Sequence, residues 1–229
     1  MGRPVKGTGR RGTGRSARAR ETRRRIVTAA GELFVAQGYV PTTLEEVAQR
    51  AGVAVQTIYF HFGNKRTVLK EVVDVAAVGD DEPVAVLDRP QVRAAADEAT
   101  PAAVIAAWCE VGRTIYERVA PIMRVVRDTA AVDPDMAEQW RVNEEQRKTA
   151  FRVCAGRLAE LGALRPGLDL DDAVDMIEAL HGLDTYHLLT SRGWPPRRVQ
   201  AWAGEMLCAA LLADPPPRSS PDAGQSSAW

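Results

Sequence analysis

The chain has 229 residues, of which 45% are hydrophobic and 26% charged, and its formal net charge is zero. This length allows one or two domains, and the hydrophobic content is enough for a substantial core. The sequence has no run of eighteen apolar residues, and its N-terminus lacks the apolar segment of a signal peptide. We therefore expect no membrane span and a cytoplasmic location.

The basic residues are concentrated at one end. Residues 1–25 contain ten Lys or Arg residues and a single acid, Glu21. Because a basic segment spaced by Gly, Thr and Ser cannot bury apolar surface, we expect residues 1–20 to be a disordered arm until they meet a polyanion. The alternative is a solvated tail that only aids solubility.

The first two predicted helices are separated by a turn. Apolar spacing places Ile26, Ala30, Leu33, Phe34 and Gln37 on one face of the first helix, which Gly38 ends. Thr43 and Glu46 have the spacing of a capping box, so a second helix is predicted to begin near Leu44 and to end at Gly52.

A third helix follows this turn at once. It begins near Val55 and directs Val55, Ile58 and Phe62 inward. Two helices joined by a tight, glycine-containing turn form the helix-turn-helix pattern. After Gly63 and Asn64, a fourth helix is predicted from about residue 65 to 78, and the acidic, helix-breaking run at 79–83 marks a domain boundary.

The remainder is predicted to be helical almost throughout. The expected helices cover 101–119 with a kink at Pro121 and a continuation to 131, then 135–161, 169–190 and 196–212. No period-2 alternation predicts a sheet, so the fold class is all-α. We assign 21–66 to a helix-turn-helix DNA-binding domain of three helices, 67–213 to a larger helical domain and 214–229 to a disordered, Pro- and Ser-rich tail.

Hydrogen-bonding and cationic side chains are dense around the third helix. A helix that enters the major groove must satisfy phosphates on both of its flanks. We expect Thr57, Tyr59 and His61 to donate to phosphate oxygens, and Lys65 to supply a positive charge at the start of the next helix.

The same helix carries candidates for base recognition. Val55, Gln56 and Phe60 remain for base edges, because an amide can pair with adenine and apolar groups can meet a thymine methyl. The alternative is a small core in which the aromatic residues simply pack. We accept that alternative for Ile58 and Phe62.

These residues also occur in a recognisable order. The patterns G-Y-x-x-T-T-x-x-x-[IV]-A-x-x-A-G-V and T-[LIV]-Y-x-H-F-x-[NS]-K are matched by Gly38, Tyr39, Thr42, Thr43, Val47, Ala48, Ala51, Gly52, Val53, Thr57, Ile58, Tyr59, His61, Phe62, Asn64 and Lys65. On these motifs, residues 22–70 resemble the DNA-binding domain of the TetR family of transcriptional regulators. Two positions depart from the family pattern: Ala54 replaces a frequent Ser, and Gln56 replaces a frequent Gly.

The resemblance implies roles for matched residues. Thr43, Thr57, Tyr59, His61 and Lys65 would hold the DNA backbone, and Gln56 with its neighbours would contribute to base readout. It also implies a homodimer that binds a palindromic operator, usually as a repressor, and releases it when a small molecule enters the C-terminal ligand-binding and dimerisation domain.

Apolar stripes on the last two predicted helices favour a four-helix dimer bundle. These stripes contain Val174, Ile177, Leu180, Leu188, Val199, Trp202, Met206, Ala209 and Ala210. The alternative is packing within one subunit.

Candidate ligand-pocket residues are large, mostly apolar side chains between the C-terminal helices. They are Trp108, Tyr116, Met123, Trp140, Phe151, Met176 and His181. Each of these residues, taken alone, is more often a core residue than a pocket residue. His181, Asp184 and His187 have helical spacing, but without a third ligand or a nucleophile at a consistent position they indicate neither a metal site nor catalysis.

The three cysteines do not suggest a site either. Cys109, Cys154 and Cys208 form no C-x-x-C pair and have no neighbouring His, which argues against a disulfide framework and a zinc site. We interpret them as buried, reduced thiols, with a redox-sensing thiol as the alternative. No cofactor is expected.

Other functional classes fit less well. An enzyme would need an acid-base pair or a nucleophile whose residues come together in one site, and the sequence indicates no such residues. A nonspecific nucleic-acid packaging protein would explain the basic arm but not the acidic, aromatic-bearing C-terminal region. We therefore expect a regulator whose partners are double-stranded operator DNA, a small-molecule effector and a second copy of the chain.

Overall fold

The computed structural model describes residues 12–80, 82 and 84–214, and its description of side chains begins at residue 17 and omits that of Asp135. The α-helices are α1 Gly12–Gln37, α2 Leu44–Ala51, α3 Val55–Phe62, α4 Lys65–Val78, α5 Pro90–Ala96, α6 Pro101–Ala130, α7 Pro134–Glu160, α8 Leu170–His181, α9 Leu183–Ser191 and α10 Pro196–Leu211. A short 3-10 helix, Val86–Asp88, precedes α5. Over these residues the only β-type pairing is the isolated bridge between Leu164 and Leu212. The all-α fold class is confirmed.

The chain forms two compact units, which we describe separately. Of the described residues, the first contains 12–80, 82 and 121–141, and the second contains 84–120 and 142–214, so α6 and α7 each contribute to both. Within the part of the chain that the structure describes, no helix is long and apolar enough to cross a bilayer.

The helix-turn-helix of the first unit has the predicted boundaries. Thr43 caps α2: its hydroxyl accepts from the Glu46 N–H at 3.2 Å, and the Glu46 carboxylate accepts from the Thr43 N–H at 2.8 Å. Gly52 ends α2 in the left-handed conformation, with φ +65°, where a side chain would be strained. The capping box and the glycine stop are therefore confirmed.

The start of α1 differs from the prediction. We expected residues 1–20 to be disordered, but α1 begins at Gly12 and includes 12–20, while residues 1–11 lie outside the described range. Residues 15–25 are mostly Arg and Ala, both good helix formers, and they continue directly into the packed part of α1. Because extending a helix is far easier than starting one, the helix grows backward from this packed part.

The segment 169–190 also differs from the prediction. It forms two helices, α8 and α9, and Gly182 between them has extended backbone with φ −74° and ψ 170°. A Cβ at Gly182 would lie 2.2 Å from the Glu178 carbonyl oxygen, so the break requires glycine. By contrast, α6 runs through Pro121 as one helix.

A single core cluster in the second unit joins α5, α6, α7, α8 and α10. Its members include Val92, Ile105, Trp108, Cys109, Phe151, Cys154, Leu158, Val174, Ile177, Ala203 and Leu207. Cys109, Cys154 and Cys208 are free thiols, and burial raises the pKa of Cys109 to about 12. A thiolate is therefore scarce at Cys109 near neutral pH.

The apolar stripes predicted for a dimer bundle are divided. Val174, Ile177 and Val199 are buried inside this chain, and Leu180 and Trp202 pack against its core. Leu188 is 51% exposed and Ala209 is exposed. Met206 and Ala210 are half-buried, so packing within one subunit explains part of the stripes and leaves Leu188 and Ala209 exposed.

Candidate functional site

Two buried side chains anchor α3 on the first unit. Ile58 is fully buried and Phe62 is 5% exposed, as the sequence predicted for these two positions. Ala54, at the N-cap, makes no side-chain hydrogen bond. Because Ile58 and Phe62 fix one face of α3 in the core, the opposite face of the helix points outward.

The outward face of α3 is unusually apolar for an exposed surface. Phe60 is 85% exposed and Tyr59 is 51% exposed, and Gln56 in the first turn of α3 is also exposed. Val55, Thr57 and His61 are half-buried along its sides. Exposure of large apolar side chains next to polar ones is typical of an interaction surface.

Lys65 at the start of α4 is held by the chain itself. Its ammonium group donates to the main-chain carbonyls of Tyr39 at 2.9 Å, Val40 at 3.3 Å and Thr42 at 2.9 Å, and it lies 4.4 Å from the Tyr39 ring centroid. Burial lowers the pKa of Lys65, and the charge of Glu46 opposes this shift. Lys65 therefore fastens the turn between α1 and α2, and its charge stays beside the N-terminus of α2, where Thr43 is exposed.

Arg23 on α1 is a positioning residue that our sequence reasoning missed. Its guanidinium forms a two-pronged ion pair with Glu71 of α4, at 2.9 and 2.7 Å. It also donates to the main-chain carbonyl of His61 at 3.4 Å and lies 4.5 Å from the Phe62 ring centroid. Arg23 thus links α1 and α4 to the C-terminal end of α3.

In the sequence, Arg23 falls among the cations of the basic segment 1–25. A signal that separates it was present, because Arg23 lies three residues before Ile26 and four before Val27, both buried on α1. This spacing places it on the packed face of the helix. Arg24 and Arg25 are exposed instead.

Two of the predicted ligand-pocket residues, Tyr116 and His181, line the same cavity in the second unit, while Trp108 belongs to the core cluster and contributes its main chain beside His181. The rings of Tyr116 and His181 are 5.6 Å apart, and burial lowers the pKa of His181 to about 4, an effect partly opposed by a hydrogen bond to the Trp108 main chain. Tyr116 and His181 line a cavity of about 10 Å³, which is about the space that one water molecule needs.

The other four predicted pocket residues lie elsewhere. Phe151 is buried in the core cluster of the second unit, and Met176 packs against that cluster. Met123, which is buried, and Trp140, which is half-buried, belong to the first unit. No three His, Cys, Asp or Glu side chains of the described residues are grouped to hold a metal ion.

Comparisons with known proteins agree with this geometry. The family model described as bacterial regulatory proteins, tetR family, matches residues 26–72. The transcriptional regulator TcmR of Streptomyces glaucescens is 32% identical over 161 residues, which cover 67% of this chain and 64% of TcmR. The regulator TtgW of Pseudomonas putida is 49% identical over 57 residues, or 25% of this chain and 42% of TtgW.

The match to each of these two relatives spans less than two thirds of the relative's length. Among solved structures, NalD, the secondary repressor of the MexAB-OprM multidrug efflux pump in Pseudomonas aeruginosa, superposes with a TM-score of 0.65 at 21% identity, over 86% of this chain and 99% of NalD. At this identity the likeness concerns the fold. The capped helix-turn-helix, the matched motifs and these relatives together assign the chain to the TetR family of bacterial regulatory proteins.

Proposed function

We propose that this chain is a sequence-specific DNA-binding transcriptional regulator, a repressor that a small-molecule ligand releases from a palindromic operator. The observation that carries this proposal is the outward face of α3. Phe60 is 85% exposed on a helix whose other face is anchored by the fully buried Ile58. A rigid helix that presents an apolar ring and an amide side chain suits the major groove.

Two groups of side chains contact different parts of the DNA. Val55, Gln56 and Phe60 face base edges, where the Gln56 amide pairs with adenine and the apolar groups meet thymine methyls. Thr43, Thr57, Tyr59 and His61 donate to phosphate oxygens on either side. The exposure of Thr43, Gln56, Tyr59 and Phe60 supports this division.

Lys65 attracts the DNA phosphate backbone by its charge and does not contact a phosphate directly. Three carbonyls already hold its ammonium group, so its charge raises the potential beside the N-terminus of α2 instead of reaching across the groove. Helix N-termini favour anions, and a nearby cation adds to this attraction. A phosphate that approaches Thr43 would meet both.

The regulator acts as a homodimer in the cytoplasm and is not an enzyme. A two-fold symmetric dimer matches the symmetry of a palindromic operator, because each copy occupies one half-site. Leu188 and Ala209, the exposed parts of the apolar stripes on α9 and α10, support this assembly. The effector binds the second unit. NalD, whose fold this chain shares, is a repressor of an efflux pump.

A competition experiment tests the proposal. Duplexes covering the region upstream of the chain's own gene are compared with random duplexes of equal length and salt by fluorescence anisotropy. A regulator holds one duplex with a palindromic site about 10³-fold or more tightly than random DNA. Equal affinity for all duplexes would contradict the proposal and would favour a nonspecific nucleic-acid-binding protein.

A further inference from the structure

The first turns of α1 extend beyond the packed part of that helix. All side chains from residue 17 to 21 are exposed, and the first buried side chains among those described on α1 are Ile26 and Val27. At 1.5 Å per residue, the helix covers about 16 Å from Gly12 to Arg23. The described part of the first unit leaves this helical surface uncovered, so a partner can approach it.

The segment 17–25 of α1 carries arginines without acidic partners. Arg18, Arg20 and Arg25 are exposed, and no ion pair or side-chain hydrogen bond joins them to the described residues. Glu21, the only acid among the first 25 residues, pairs instead with Arg24 at 2.6 Å. The remainder of the chain is acidic, with 20 Lys or Arg and 29 Asp or Glu. Positive charge is thus concentrated at the start of α1, where it complements a polyanion.

Two of these arginines share one side of the helix. With 3.6 residues per turn, Arg18 and Arg25 point about 20° apart around the helix axis and lie about 10 Å apart along it. Arg20 points about 160° away from Arg18, on the same side as Arg24, which Glu21 already engages. The side of Arg18 and Arg25 therefore presents two unpaired cations, and the other side presents one.

Arg23 fixes the position of this segment relative to α3. Its guanidinium donates to the main-chain carbonyl of His61 at 3.4 Å and pairs with Glu71 of α4. At this point α1 passes the C-terminal end of α3, and the residues before Arg23 lead away from it. Tyr59 and His61, near this end of α3, are proposed phosphate contacts. The segment 17–25 thus begins beside the phosphates that α3 is proposed to bind.

We propose that Arg18 and Arg25 bind phosphates of the operator next to those that α3 contacts, which makes the segment 17–25 a second DNA-binding surface. This inference rests on the proposed function and deepens it. Successive phosphates of one strand advance by about 3.4 Å along the duplex, so a separation of about 10 Å corresponds to about three such steps. Contacts of this kind position the protein on the duplex and carry no base preference.

The salt dependence of operator binding measures these contacts on the full-length protein. A double variant with Arg18→Gln and Arg25→Gln keeps long polar side chains of good helix propensity. Each lost phosphate contact reduces the slope of log K against log salt by about 0.9. By fluorescence anisotropy, we expect a slope that is shallower by about 1.8 and an affinity about 30-fold lower at about 0.15 M salt. The selected operator sequence should stay as in wild type.

Arg20→Gln is the matched control, because it removes the same charge from the opposite side of the same helix. Arg18→Gln alone should reduce the slope by about 0.9, whereas Arg20→Gln should keep the wild-type slope. Circular dichroism checks that the variants are equally helical. Ethylation of single phosphates should identify positions that weaken wild type but not the double variant.

Three results would overturn the inference. One is an equal slope for Arg18→Gln and Arg20→Gln, which would indicate a diffuse field in place of contacts. Another is ethylation that weakens wild type and the double variant at the same phosphates. The third is a wild-type slope for the double variant, which would favour an acidic protein as the partner of this surface.

The same measurements separate this inference from the proposed function. If wild type prefers no duplex but the double variant binds every duplex with a shallower slope, the second surface is supported and sequence-specific regulation is contradicted. If wild type selects a palindrome and the double variant binds it with the wild-type slope, the proposed function stands and the second surface is contradicted.

Discussion

The outward face of α3 and the packing of His181 against Gly112 both depart from the usual distribution of side chains. One exposes a large apolar side chain, and the other buries a titratable one. In the first unit, Phe60 is a large apolar side chain that is 85% exposed, while in the second unit His181 is a titratable side chain that is 7% exposed. Surface positions normally favour polar groups and interiors normally exclude unpaired ones. For α3, the exposed ring belongs to the surface that we propose binds DNA.

The close contact between Gly112 of α6 and His181 should be the more sensitive of the two regions to substitution, because a Cβ at Gly112 would lie 2.1 Å from His181 Nε2. Gly112→Ala places a methyl group against His181 Nε2 and displaces the ring from the Trp108 carbonyl. We expect a loss of about 3 kcal/mol in the free energy of unfolding, from overpacking and the broken hydrogen bond. Chemical denaturation measures this loss.

Gly156→Ala is the matched control for that prediction. Gly156 lies inside α7, and a Cβ there would meet nothing within 4 Å. This substitution should be neutral or stabilise the protein by up to about 1 kcal/mol, through the higher helix propensity of Ala. Similar losses for Gly112→Ala and Gly156→Ala would contradict the close packing of His181 against Gly112.

The neutral His181 should also make the second unit sensitive to acid. The folded protein keeps His181 neutral down to about pH 4, whereas the unfolded chain takes up the proton near the reference pKa of 6.5. The stability from burying neutral His181 is therefore fully present above about pH 6.5 and is lost as pH falls toward 4. The loss reaches at most about 3 kcal/mol, at 1.36 kcal/mol per pKa unit.

A histidine substitution checks this pH dependence. His181→Phe should flatten the stability profile between about pH 6.5 and 4, since the substituted side chain cannot take up a proton. If His181→Phe has the wild-type profile, His181 is not held in its neutral form by the fold.

Arg23 tests whether the exposed face of α3 depends on internal support. Arg23→Met breaks the ion pair with Glu71 and the contact with the His61 carbonyl. We expect a loss of about 1–2 kcal/mol in unfolding free energy, below the value for a fully buried pair because the side chains of Arg23 and Glu71 are 38% and 25% exposed. Operator affinity should fall as well.

The control for Arg23 lies on the same helix. Arg25→Met removes an exposed cation and should change the unfolding free energy by less than about 0.5 kcal/mol. If Arg23→Met and Arg25→Met weaken operator binding equally while stability is unchanged in both, Arg23 acts as a phosphate contact and does not position α3.

Phe60 should show the smallest effect on stability. Because its ring is 85% exposed, Phe60→Ala should change the free energy of unfolding by less than about 0.5 kcal/mol. Operator affinity should nevertheless fall by about 1–3 kcal/mol if the ring meets a thymine methyl. An equal loss of affinity for random DNA would instead make Phe60 a general surface contact.

The parts of the fold that are fixed locally could be predicted from the sequence. The Thr43–Glu46 capping box and the Gly52 stop need only residues within one or two turns of each other, so the helix-turn-helix boundaries were predicted correctly. The roles of Arg23 and Lys65 could not be predicted in this way. Their partners lie 48 and 23–26 residues away, so the contacts exist only after the helices pack.

In the second unit, too, contacts between residues that are distant in the sequence could not be predicted from sequence patterns. Aromatic content indicated Trp108, Tyr116 and His181 but equally indicated Met123 and Trp140, which belong to the first unit. His181 packs against Gly112, a residue with no side chain and hence no pattern in the sequence that could indicate this contact. Likewise, the apolar spacing of 169–190 continues across Gly182, although the helix does not.

The central claim is that α3 recognises bases. The most direct test selects operator DNA from a random duplex pool, with wild type and Gln56→Ala in parallel. Wild type should enrich a palindrome whose half-sites lie about one helical turn or more apart. Gln56→Ala should enrich the same palindrome with relaxed preference at one symmetric base pair, by about 1–3 kcal/mol. Enrichment of no palindrome by wild type, or identical preferences for both proteins, would contradict base recognition by α3.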